Sequence, residues 1–408
     1  MAVEKSISLE NGPACPAAQR RYVTDESIPL AAQISINDLL EHGAHLKPGQ
    51  RVALIAYLDG LYGGDNLVDR EAIQWIRRAI EERGNQVEVL WVDEPSRIHD
   101  WKFPDQVRVV MERNDLTITH SFDLTMEEVT PFRQFVGPAV RQGKMAPLVR
   151  NFASTAPLLC STWAQTPQEL VSEIRLQSSL WIKAGLKWQL TDPNGTHLEG
   201  VILPSPVPDM KYGTRREEGG SWLPWPEWCV PPIAVGETSG FVVFDRMLSW
   251  WSRYIGIPPF FDKPVSLTIK DARIVRIEGG NEAEAIRCFL DDMKERCGES
   301  AYYFDQLHWG VHPQARISPQ QCPSVLYQRL IEHSNSCNFH VHVGSPVPNA
   351  TYPYWAHVTG DLRHTTFTIG EQMVYKNGRL AALDHPAVLA VAARYPGRPG
   401  LSPEPFQG

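Results

Sequence analysis

Residues 51–57, RVALIAY, and 87–93, VEVLWVD, flank DREAIQWIRRAIEERGNQ at 69–86, and this succession decides the first part of the fold. Each flanking run is short and apolar, as a buried strand requires, while the segment between them repeats its apolar residues at helical spacing. Gly84 closes that helix. The three pieces make a βαβ unit, and QVRVVMERNDLTITHS at 106–121 continues the alternation. No GxGxxG follows the first strand, which excludes the dinucleotide fingerprint. The glycines of LDGLYGGDN (58–66) lack the phosphate-loop spacing and read as a turn.

Further along, TPQELVSEIRLQSSLWIKAG (166–185) predicts a helix, and LKWQLTDPNGTHLEGVIL (186–203) predicts two strands joined at the PNG turn. Residues 201–226 are irregular and rich in Pro and Trp. GFVVFDRML, PVSLTIKDARIVRIEGG and FTIGEQMVYKNGRL then read as strands with hairpin turns. NEAEAIRCFLDDMKERCG is a helix, capped by Asn281 and stopped by Gly298. The expectation is a loose arm over 1–30, an α/β N-terminal domain over 31–180 and a β-rich α+β C-terminal metal-binding domain over 181–408.

Composition narrows the function. The chain has 408 residues, hydrophobic 43% and charged 21%, as in an ordinary globular protein. A net charge of −8 leaves no basic footprint for a nucleic-acid backbone, so DNA and RNA are not expected partners. No long apolar run is present to cross a membrane, and the N-terminus lacks a signal-type apolar core. Seven scattered cysteines without CxxC spacing point to reduced thiols, hence to a cytoplasmic protein.

Seven of the thirteen histidines fall between 308 and 364, where a uniform scatter would place about two. They are His308, His312, His333, His340, His342, His357 and His364. In CNFHVHVGS (337–345) an extended backbone turns His340 and His342 to the same side. In HVTGDLR, His357, Thr359, Asp361 and Arg363 share one face. Clustered imidazoles with carboxylates nearby have the composition of a transition-metal site. Taken singly, such histidines more often cap turns or satisfy buried backbone groups. Glu227, inside PEWCVPP, is a carboxylate among aromatics and prolines that would need a metal, an Arg or a proton if buried. No GxSxG is present, and no cysteine has a recognisable nucleophile context.

The ordered set KPGQRVALIAY, LTDPNGTHLEG, PEWCVPP, GFVVFD, ARIVRIEGGNEAEAI, LHWGVHPQAR and NFHVHVG resembles one family with two branches. These are the aminopeptidase T group and the 2,5-dihydroxypyridine dioxygenases, which open a pyridine ring with Fe(II) and O₂. The resemblance implies that His308 and His357 are metal ligands of the dioxygenase type. Thr359 stands where that branch has its aspartate. His340 matches a metal-binding histidine of the aminopeptidases, and Glu227 their first glutamate. The resemblance therefore implies a divalent metal, Fe(II) ahead of Mn or Zn, held by His308, His340 and His357. Glu227, Asp361 and above all His342 would serve acid/base or supporting roles.

The function expected on these grounds is ring cleavage of a small hydroxylated N-heteroaromatic or related aromatic by a homo-oligomeric, non-haem iron dioxygenase. Hydrolysis of a small cyclic or aromatic compound by metal-activated water is the alternative, and a metal-free binding protein on the same fold is a third reading. Trp222, Trp225, Trp228 and Trp309 are candidate walls for a planar substrate, and the segment 205–228 a candidate rim over the site.

Overall fold

The computed structural model describes residues 28–57, 68–92, 105–120, 138–205, 212–214, 222–249, 252, 255–322, 324–344 and 358–401. Most of the expected N-terminal arm, the glycine segment 58–66, and His357 lie outside the described residues.

Along the chain run β1 (Arg51–Tyr57), β2 (Gln86–Val92), β3 (Leu116–His120) and β4 (Leu148–Asn151), then β5 (Lys187–Thr191), β6 (His197–Ile202), β7 (Trp222–Trp225) and β8 (Ile233–Arg246). They are followed by β9 (Phe260–Lys270), β10 (Arg273–Glu278), β11 (Phe304–Trp309), β12 (Phe339–Val343) and β13 (Val358–Leu362), and by β14 (Thr366–Ile369), β15 (Gln372–Lys376) and β16 (Arg379–Leu380). The longer helices are α1 (Leu30–Asp38), α2 (Arg70–Glu81), α3 (Asp105–Arg113), α4 (Gln168–Ser179), α5 (Asn281–Cys297), α6 (Val325–His333) and α7 (Pro386–Ala393).

The fold is mixed α/β. One sheet has the order β2-β1-β3-β4-β7, with every neighbouring pair parallel. Its βαβ opening follows from local chemistry. Asp69 caps α2 by accepting from the Ala72 amide at 2.6 Å, and Ala72, Ile73, Ile76, Ala79 and Ile80 form the buried stripe. Each fully buried isoleucine stabilises that packing by about 2 kcal/mol. Gly84 has a positive φ and supplies the left-handed turn that ends the segment.

The second sheet is antiparallel and large, running β13-β12-β11-β8-β6-β5-β14-β15-β16. The fourteen-residue β8 is its hub, pairing with β11 near its start, with β6 in the middle and with β9 over its second half. Met247, just past β8, bridges back to Gly360 of β13, so this part of the sheet curls on itself. The curl depends on the missing side chain at 360, because a Cβ there would stand 2.7 Å from the Phe244 ring.

Two expectations change. Residues 222–225 of the Pro/Trp-rich stretch form β7 and complete the parallel sheet, so the chain returns to the first layer well after residue 180. Trp225 is buried there and donates its indole N–H to Asp38 at 3.1 Å, a core role rather than a pocket wall. At α5, Asn281 is the first helical residue. The N-cap is Gly280, and no side chain caps the helix.

Two buried histidines tie stability to pH. His120 on β3 has its Nδ1 3.3 Å from the Ile55 carbonyl oxygen. Burial pushes it from 6.5 down to about 4, against the opposing pull of that carbonyl. Burial likewise drives His312 down to about 3. The unfolded chain takes up both protons near the ordinary value, and the folded chain does not. Stability is therefore full above about pH 6.5 and declines as the pH falls toward the folded values. The thermal midpoint should drop steadily from pH 7 to about pH 4, and His120→Gln should shallow that slope, by up to about 1.4 kcal/mol per pH unit. Equal slopes in the two proteins would refute the assignment.

Candidate metal centre

Every residue of β12, Phe339-His340-Val341-His342-Val343, is buried. Alternation places Phe339, Val341 and Val343 on one face and both histidines on the other. The apolar face belongs to the core, where the Phe339 ring lies 4.9 Å from Phe367 and 5.9 Å from Trp309. Trp309 is thus a core residue, on the face of β11 opposite His308. The register then builds the polar face. His308 on β11 pairs with His340, and His340 with Asp361 on β13, forming one row across three strands. Gln306, His342 and Thr359 form the next row.

A helix supplies what the strands lack. Ser324 caps α6, its hydroxyl accepting from the Tyr327 amide at 3.3 Å. Arg329 and His333, four residues apart, share one face of this helix. Both reach Asp361. His333 Nδ1 lies 2.9 Å from Asp361 Oδ1, and an Arg329 guanidinium nitrogen donates to Oδ2. His333 consequently stacks on His340, with ring centroids 3.4 Å apart and an interplanar angle of 13°. The fourth member comes from the chain leaving β7. Cys229 forms an isolated bridge with Gly310, two residues past His308, and its Sγ lies 3.9 Å from the His333 carbonyl. Gly310 permits this approach, since a Cβ there would fall 2.2 Å from the Asn335 carbonyl oxygen.

Cys229, His308, His333 and His340, all buried, each present a donor atom, and these atoms lie within 4.8 Å of one another. Two of the imidazoles have their outer nitrogen fixed by another group: His308 Nε2 meets the Val230 carbonyl, and His333 Nδ1 meets Asp361. In the neutral tautomers the lone pairs are then on His308 Nδ1 and His333 Nε2. Such outer contacts to a carbonyl or carboxylate are how metal-binding histidines are usually oriented. His340 has no hydrogen bond of ordinary geometry at either ring nitrogen among the described residues. Burial holds it well below its usual range, His333 and His308 add to the effect, and Asp361 opposes it. Burial pushes the Cys229 thiol up, aided by the carboxylates of Asp361 and Glu227. Burial would raise Asp361 as well, but His333 and Arg329 outweigh it and hold the carboxyl far below the usual range.

The other expected site residues are placed as follows. His342 lies beside the group, its ring 5.1 Å from that of His308 and 6.4 Å from that of His340. Asp361 backs His333 and is not one of the four converging donors. Glu227 is buried but engaged by α4: Gln168 Nε2 donates at 2.7 Å, Ser172 Oγ at 2.9 Å, and Arg175 Nε lies 3.3 Å away. Of the expected tryptophan walls whose side chains are described, Trp228 borders His333. Its ring stacks on Phe152, past the C-terminal end of β4, at 4.8 Å, and lies 5.9 Å from His333. The side chain of Trp222 and the segments 206–211 and 215–221 of the expected rim lie outside the described residues.

A family model described as 2,5-dihydroxypyridine 5,6-dioxygenase (NicX) matches residues 163–382, more than half of the chain and inclusive of all four donors. The chain belongs to this family. Among solved structures it is similar to 2,5-dihydroxypyridine dioxygenase from Pseudomonas putida KT2440, at 15% identity and a TM-score of 0.56, over 88% of this chain and 99% of that one. It is also similar to AmpT from Thermus thermophilus, at 12% identity and a TM-score of 0.50, over 86% of this chain and 98% of that one. At such identities the likeness establishes the fold. No curated protein matches the chain. The resemblance drawn from the motifs thus holds for both branches.

The donors present fit the metal that a dioxygenase family implies. The set joins three imidazoles to a sulfur in a buried site, as a borderline divalent ion would accept. Thr359, one row along from His340, is fully buried, and its hydroxyl has no hydrogen-bond partner among the described residues.

Cys229 and His333 stand among the four converging donors and are not among the expected ligands. PEWCVPP does carry Cys229, two residues from Glu227. For His333 the available signal is its spacing of four from Arg329 on a helix.

Asp361→Asn tests this framework without reference to any ion. The change leaves the Arg329 guanidinium, 2% exposed at its side chain, with Glu332 as its remaining ion-pair partner among the described residues. Breaking one side of a buried ion pair should cost about 3 kcal/mol in urea denaturation. Adding Arg329→Met should restore most of that loss. A neutral single variant would show that the pair carries no structural weight.

Proposed function

We propose that this chain is a metal-dependent, ring-cleaving dioxygenase acting on a small hydroxylated N-heteroaromatic or a related aromatic. The observation that carries the reading is the convergence of buried imidazole and sulfur donors around His308 and His340, inside the span that matches the dioxygenase family. Fe(II) is the ion proposed. His308, His340 and His333 would hold it, and His357, beyond the described residues, remains a proposed ligand. A bound Fe(II) would supply redox chemistry toward dioxygen and Lewis acidity toward a substrate hydroxyl.

The protein's own groups have separate tasks. His342 stands one row along the strands from His340 and would exchange a proton with the substrate hydroxyl at a ring nitrogen. Trp228, backed by Phe152, offers a planar face against which an aromatic ring could lie. Asp361, kept anionic, holds His333 in place. Glu227, bound by Arg175, braces the segment that carries Trp228 and Cys229. Burial of the row excludes bulk water. The protein is further proposed to be a cytoplasmic homo-oligomer; among the described residues no helix is long and apolar enough to cross a membrane.

Anaerobically purified protein should contain iron and take up O₂ on a panel of hydroxylated pyridines. Under ¹⁸O₂, label should enter the acyclic product. His308→Ala should lose most bound metal and lower kcat/KM by at least about 100-fold, whereas His364→Ala, in the bend after β13, should keep the metal. Unlabelled product formed at full rate without oxygen would instead assign the chain to hydrolysis by metal-activated water.

A further inference from the structure

We propose that Cys229 is a thiolate ligand of the metal, so that the ion is held by a three-histidine, one-sulfur set. This deepens the metal-dependent reading above and rests on it. The Cys229 sulfur belongs to the group of four buried donors with mutual distances within 4.8 Å. A four-coordinate shell with bonds of about 2.0–2.3 Å puts its donors about 3.3–3.8 Å apart, so the group needs to contract by about an ångström. The contraction also requires the stacked His333 and His340 rings to turn, since their in-plane lone pairs run nearly parallel. The backbone already fixes the approach: Cys229 bridges Gly310, and Gly310 packs against the Ser334 and Asn335 backbones immediately after His333.

Charge identifies the role. Neutral imidazoles bring no negative charge to a divalent ion, and the carboxylates of Glu227 and Asp361 are committed elsewhere. Glu227 is bound by Arg175, Gln168 and Ser172, and Asp361 by Arg329 and His333. The thiol is the one member of the four that can become an anion. On binding, the sulfur–proton bond gives way to a sulfur–metal bond and the proton leaves to solvent, with no change of oxidation state. Without an ion, burial keeps the thiol protonated and unreactive. With one, the site is softer than an all-nitrogen face. It should favour iron, cobalt or zinc over manganese or magnesium.

The test uses the full chain, stripped by a chelator under anaerobic conditions and titrated with Co(II) alone. Wild-type protein should bind one equivalent and develop an intense near-ultraviolet sulfur-to-cobalt charge-transfer band beside the weaker visible bands. Cys229→Ser should lose the ultraviolet band and weaken cobalt binding by at least about tenfold. Cys337→Ser, at another buried cysteine, should keep both. A wild-type cobalt protein without the band, or a Cys229→Ser protein that retains it, would overturn the proposal. If Cys229→Ser does not fold, the wild-type and Cys337→Ser spectra decide. Because no substrate or oxygen is involved, a protein that shows the band but takes up no O₂ keeps this ligand and loses the ring-cleavage reading. A turning-over iron protein whose cobalt form lacks the band does the reverse.

Discussion

The Asp361 carboxylate is the constraint on which the site depends. It sits wholly buried on β13, and a lone anion there would be too costly to desolvate. Two cationic or proton-donating groups on one face of α6, Arg329 and His333, meet its two oxygens. That arrangement fixes the rotation of α6 against the sheet, and with it the plane of the His333 ring. The strand register independently places His340 opposite Asp361. His333 and His340 can therefore meet only as a stacked pair. At a centroid separation of 3.4 Å two imidazolium rings would repel strongly, so the pair disfavours a second proton, and burial together with His333 holds His340 well below its usual range. Neutral imidazole is the form that binds metal. One buried ion pair thus sets the position of half of the donor set.

The two sheets meet at this point. The C-terminal end of β4 delivers Phe152, whose carbonyl accepts from the Tyr327 hydroxyl of α6 and whose ring stacks on Trp228. Crevices outside the carboxyl ends of parallel strands are common ligand sites in α/β folds. Here the carboxyl end of β4 faces the curled antiparallel sheet, so the two layers meet beside the histidines. The chain leaving β7 then runs from Glu227 through Trp228 to Cys229, anchored first to α4 and then to the loop after β11. Three consecutive residues thus meet three different neighbours, Arg175, Phe152 and Gly310.

Much of this is legible in the sequence where the signal is local. The βαβ opening, the PNG hairpin, the strands around 267 and 367 and the common face of His340 and His342 all follow from periodicity, and each is found. What is not legible is non-local. Nothing in NFHVHVG states that β12 will lie between β11 and β13 in this register, so Asp361 can be grouped with His357 but not seen to serve His333. Trp309 and Trp228 look alike as aromatic walls. Strand alternation sends Trp309 to the core, whereas a turn leaves Trp228 beside the histidines. Glu227 reads as a carboxylate that needs a partner if buried, and that partner is Arg175, more than fifty residues earlier in the chain. His333 lies on a helix, outside any strand pattern, and Cys229 in a Pro-rich turn without a motif.

The charge balance around the four donors links these observations. The carboxylates described near them are matched: Asp361 by Arg329, and Glu227 by Arg175, with Arg363 placed 3.9 Å from the Glu332 that also accepts from Arg329. The surroundings are close to neutral before an ion arrives. A divalent cation entering a neutral, water-poor site must be stabilised by ligand dipoles and by whatever charge the ligands themselves develop. Imidazoles oriented by a carbonyl and a carboxylate supply the dipoles. A thiol that ionises only when the cation is present supplies the charge, and it does so without leaving an uncompensated buried anion in the empty fold. The raised Cys229 thiol and the matched carboxylates are two sides of the same electrostatic requirement.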